Sequence, residues 1–91
     1  AFDRQQDLVV ADEGAHAVDV VAPPYTSITG TLGSGWSQPW DVTINNAGTR
    51  AYVTDTSAQT VQVLTYPAGS NIVTLPASFP EAAVGSRNYV P

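Results

Sequence analysis

Cysteine is absent from this 91-residue chain, which excludes disulfide staples, thiolate nucleophiles and zinc knuckles. Lysine is absent too: Arg4, Arg50 and Arg87 face six aspartates and two glutamates, for a formal net charge of −5. That balance repels phosphate backbones, so neither nucleic acid nor an anionic membrane is an expected partner, and cations or basic surfaces suit it better. Long apolar runs are missing, so the described sequence predicts no membrane insertion and no retained signal peptide. No stretch places apolar residues at helical spacing for three turns. A first residue other than methionine fits either a processed secreted protein or an excised fragment; the expectation leans towards an extracytoplasmic location and leaves the compartment open.

What is present is a repeat. Leu8-Val9-Val10-Ala11-Asp12 followed by Ala17-Val18-Asp19-Val20-Val21 returns as Ala51-Tyr52-Val53-Thr54-Asp55 followed by Thr60-Val61-Gln62-Val63-Leu64. The offset stays at 43 positions, from Val10 to Val53 and from Val18 to Val61 alike. Val, Thr, Ile and Tyr fill these segments, whereas Gly, Pro, Asn, Asp and Ser collect between them, the pattern of short strands and turns. Residues 7–12 and 51–55 read as one strand type, 17–22 and 60–66 as the next, 26–32 and 70–75 as a third, and Trp40–Ile44 as a fourth. Asn45-Asn46-Ala47-Gly48 suits a tight hairpin because Asn and Gly tolerate positive φ. An all-β repeat of about 40 to 45 residues is the spacing of a β-propeller blade. Repeat 1 then covers about 8–50 and repeat 2 about 51–91, the latter with an irregular last strand.

Gln38-Pro39-Trp40-Asp41-Val42-Thr43-Ile44-Asn45-Asn46-Ala47-Gly48-Thr49-Arg50-Ala51-Tyr52-Val53-Thr54-Asp55, continuing to Thr60-Val61-Gln62-Val63, resembles the repeat of the YVTN and NHL families of β-propellers. The match is close over 38–64, good over 8–22 and weak at both ends; Asp41 departs from it, standing where those blades carry a small residue near the central channel. The resemblance implies two four-stranded antiparallel blades per chain. It implies a permuted order that starts near the end of an innermost strand. It also implies a shared rim that gathers Trp36, Trp40 and Asp41 with Asp12, Glu13, His16 and Asp55. Near the C-terminus, Pro80 and Gly85-Ser86-Arg87-Asn88-Tyr89-Val90 echo Pro39 and Gly48-Thr49-Arg50-Ala51-Tyr52-Val53 at shortened spacing.

Two blades alone expose apolar flanks and unpaired edges. The ring is therefore expected to close by self-association, as a homotrimer of six blades or a tetramer of eight. Val10, Val18, Val20, Val42, Ile44, Val53, Val61 and Val63 are the expected core, by alternation along the inner strands.

Catalytic chemistry finds little support. His16 is the one histidine and lies in a polar turn without metal-ligand spacing around it. Asp12 and Asp55 close equivalent strands, where an aspartate accepts hydrogen bonds from the following turn. No Gly-x-Ser-x-Gly elbow occurs, and Gly33-Ser34-Gly35 is too short to cradle a phosphate. Neither catalytic residues nor a metal or cofactor is expected, and the predicted function is a non-catalytic scaffold or interaction module. Trp36, Trp40 and Asp41 form the candidate ligand-binding group, since aromatic faces beside a carboxylate can stack sugars or hold cations. A carbohydrate-binding ring is the alternative, with a protein or a glycan as the ligand. A propeller lyase or lactonase ranks lower still.

Overall fold

Alternating β-branched segments set between turn formers fold as strands throughout the computed structural model, which describes residues 1–78. Seven strands and no helix occur among the described residues, in two antiparallel sheets. The first sheet has the order β1 (Leu8–Asp12), β2 (Ala17–Val21), β3 (Gly30–Thr31). The second has the order β4 (Pro39–Ile44), β5 (Arg50–Asp55), β6 (Thr60–Thr65), β7 (Asn71–Pro76). The sequence repeat is a repeat of register. Val10 lies opposite Asp19 and Val53 opposite Gln62, both pairs displaced by the same 43 positions.

β4 has only a partial counterpart in the first sheet. Phe2 bridges to Leu8, as Ile44 pairs with Ala51. The Val9 N–H donates to the Ala1 carbonyl at 2.7 Å, and the Ala1 ammonium donates to the Val9 carbonyl at 2.8 Å. Residues 1 and 2 thus stand where the end of β4 stands in the second sheet. The turns that follow match as well. Asp3 Oδ1 accepts the N–H groups of Gln5 and Asp7, as Asn45 Oδ1 accepts those of Thr49 and Arg50. Each turn passes through positive φ, at Gln6 (68°) and Gly48 (72°).

β3 is shorter than residues 26–32 led one to expect. The Thr29 N–H and hydroxyl both donate to the Val20 carbonyl, the hydroxyl receives the Ala22 N–H, and strand pairing is confined to Gly30 and Thr31. The peptides Pro23-Pro24 and Tyr66-Pro67 are cis.

Strand alternation gives each sheet two faces, and the sheets stack by unlike faces. β1 packs on β4. Val9, Val18 and Val20 of the first sheet meet Val42, Ile44, Ala51, Val53 and Leu64 of the second, with Leu32, Trp36 and Tyr66 closing the core. The face of the second sheet equivalent to Val9, Val18 and Val20, formed by Tyr52, Val61 and Val63, lies away from the first sheet. It carries Val73 and Leu75 of β7 as exposed apolar neighbours.

This arrangement corrects one expectation. Val10 is 38% exposed, although its equivalent Val53 is fully buried. The reason is that, among the described residues, no second sheet packs against the face of the first sheet holding Val10. Val18, Val42, Val53 and Val63 are buried as expected, and Val20, Ile44 and Val61 are half-buried. The irregular last strand expected over residues 79–91 lies outside the described residues.

Candidate functional site

The rim expected to collect aromatic and acidic residues is built around the loop that enters β4. Asp55, fully buried at the end of β5, holds this loop with its carboxylate: Oδ2 accepts the Ser37 N–H at 2.8 Å and Oδ1 the Gln38 N–H at 2.9 Å. Oδ1 also accepts the Ala58 N–H of its own turn at 3.1 Å. Burial alone would raise the Asp55 carboxyl, but the amides of Ala58, Gln38, Ser37 and Ser57 outweigh it and hold the group below the ordinary carboxylate range. Thr56 adds its N–H to the Gln38 carbonyl.

The first sheet reaches the same loop through His16. Its Nδ1 lies 2.6 Å from the Ser37 carbonyl, and because a carbonyl only accepts, Nδ1 carries the proton in this contact. His16 sits at φ 54°, matched by Gln59 at φ 57° in the second repeat. The polar turn read from the sequence therefore makes a defined contact across the two repeats.

The three candidate ligand residues separate. Trp36 is buried in the core, with Nε1 donating to the Leu32 carbonyl at 2.9 Å. Gly33, at φ 65°, makes room for it, since a Cβ there would come within 2.9 Å of the indole Cζ2. Trp40 and Asp41 instead line a cavity of about 170 Å³ opposite Ala1, Val9 and Ala11, at the junction of β1 and β4. The Asp41 carboxylate accepts the Val42 N–H at 2.8 Å, and the Asp41 N–H donates to the Thr54 hydroxyl at 3.1 Å, beside a register shift between Pro39 and Asp41.

Asp12 repeats only part of the Asp55 arrangement. Its Oδ1 accepts the Ala15 N–H at 3.1 Å, as Asp55 accepts that of Ala58. Its neighbour is Asp19, whose carboxyl is pushed above the ordinary range by burial and by the Asp12 carboxylate beside it. A tyrosine–carboxylate pair binds the N-terminal turn to the second repeat. The Tyr66 hydroxyl donates to Asp3 Oδ2 at 2.6 Å. Burial and the Asp3 hydrogen bond hold Tyr66 protonated well above the ordinary phenol range.

Ser37 and Gln38 were not singled out by sequence reasoning. Main-chain groups carry their chemistry, and only the repetition of Asp12 at Asp55 marks the place. Among the described residues no group of three or more His, Cys, Asp or Glu side chains converges as a metal site. The described residues place here a cleft between β1 and β4 with Trp40 and Asp41 in its wall, and Asp12 at the end of β1. No protein-family model and no curated protein matches this chain. Its class is therefore defined by its fold, an all-β protein whose described residues form two antiparallel sheets, of three and four strands, packed on each other.

Proposed function

We propose that the chain is a non-catalytic interaction module made of two β-propeller blades, which closes into a ring with further copies of itself. One observation carries this reading: the sheets stack head to tail. The face that the first sheet turns to the core, with Val9 and Val18 fully buried and Val20 half-buried, is the equivalent of the outer face of the second sheet, where Tyr52 is exposed, Val61 half-buried and Val63 buried. Conversely, the face that the second sheet buries around Val53 is the equivalent of the open face around Val10. A unit whose two open faces are versions of the two halves of its own interior is complementary to another copy of itself. Such a heterologous contact propagates until rotation closes it into a ring. The apolar flanks of Tyr52, Val73 and Leu75 favour closure, since an exposed patch of this kind seeks a partner.

The carbohydrate-binding alternative has weaker support, because Trp36 is committed to the core and leaves Trp40 as the remaining tryptophan at the cavity. Light scattering across a concentration series tests the proposal. The expected result is a discrete assembly of three copies of the 9.5 kDa chain. A stable, well-folded monomer at high concentration overturns it. A glycan array on the same sample tests the alternative, which predicts saturable binding lost in Trp40→Ala.

A further inference from the structure

We draw no further inference here: the strongest candidate, the exposed aromatic patch that Phe2, ahead of β1, forms edge-to-face with Tyr25 in the loop between β2 and β3, carries nothing because nothing in the structure shows what covers it.

Discussion

Asp12 and Asp55 close the same strand in two copies of one strand-turn-strand unit, and their surroundings differ because of what lies beside each copy. Asp55 has a complete inner strand next to it, so its carboxylate is enclosed and takes three amides. Beside β1 the described residues place residues 1 and 2, paired with Val9 and Leu8, and Asp12 takes one amide, from Ala15. The same contrast runs through Val53 and Val10, one fully buried and one 38% exposed. It reverses for Tyr52 and Val9, where the second sheet is the open one, at 39% against 0% exposure. Burial at these positions is a property of the neighbour, and equivalent residues become interior or surface according to which face has been covered.

The sharpest way to break this comparison is to remove both carboxylates in turn. Asp55→Ala strands three amides around a buried site and is expected to cost about 3 kcal/mol or more in urea unfolding. Asp12→Ala, measured at concentrations too dilute for association, is expected to cost less than about 1 kcal/mol. Equal losses would mean that the two turns are equally supported and that the contrast is only apparent.

Valine truncation asks the same question of packing. Val53→Ala is expected to cost about 1 to 3 kcal/mol through lost methyl burial and the cavity left behind. Val10→Ala is expected to stay within about 0.5 kcal/mol in the dilute protein. Raising the concentration should make the Val10 variant the more costly of the two relative to its dilute value, because in the proposed ring its face is the one that a second copy covers.

A smaller effect is expected where the repeats are joined. Gly69 has φ 79°, and a Cβ there would approach the Gly33 backbone nitrogen to 2.9 Å. Gly69→Ala should therefore cost about 1 to 2 kcal/mol from backbone strain and close contact, and should lower the thermal midpoint without changing the mass of the assembly. A neutral outcome would show that the loops around Gly33 and Gly69 can part without loss.

Acid titration gives the mildest test. Asp55 and Asp3 are held below the ordinary range, against the effect of burial, by their hydrogen bonds, from amides and, at Asp3, from Tyr66. Their stabilisation is fully present above the unfolded value and is lost as pH falls through the folded one, below about pH 4. Asp19 and Asp7 are raised, each first by burial and then by a neighbouring carboxylate, Asp12 and Asp3 respectively. Their folded forms bind protons more readily than the unfolded chain, so they oppose folding at neutral pH, and that opposition eases as pH falls towards their raised values. Stability in urea should rise slightly on mild acidification and then fall. Asp19→Asn should flatten the rise and leave the later fall in place.

The strands were legible because β-branched residues alternate between turn formers, and the 43-residue offset located every described strand to within a few residues except β3. There the Thr29 hydroxyl takes the Ala22 N–H and joins its own N–H on the Val20 carbonyl, a local contact that no periodicity reveals. The pairing of Asp12 with Asp55 and the turn role of both could be read from their shared place after a strand. The fate of Val10 could not, because alternation reports that a residue shares a face with others and is silent on whether anything covers that face. Trp36 and Trp40 lie four residues apart in one loop-to-strand segment, and only the tertiary fold separates a core residue from a cleft wall. Asp41 was singled out for its charge, and its carboxylate makes a local contact with the next amide.

The account turns on one pair of equivalent valines, Val10 on the outer face of the first sheet, 38% exposed, and Val53 in the core, fully buried. Methyl NMR over a range of protein concentrations compares them directly. The Val10 methyl signals are expected to shift with concentration as the proposed association covers them, while those of Val53 hold throughout. Val10 signals that hold at every concentration contradict the proposed association.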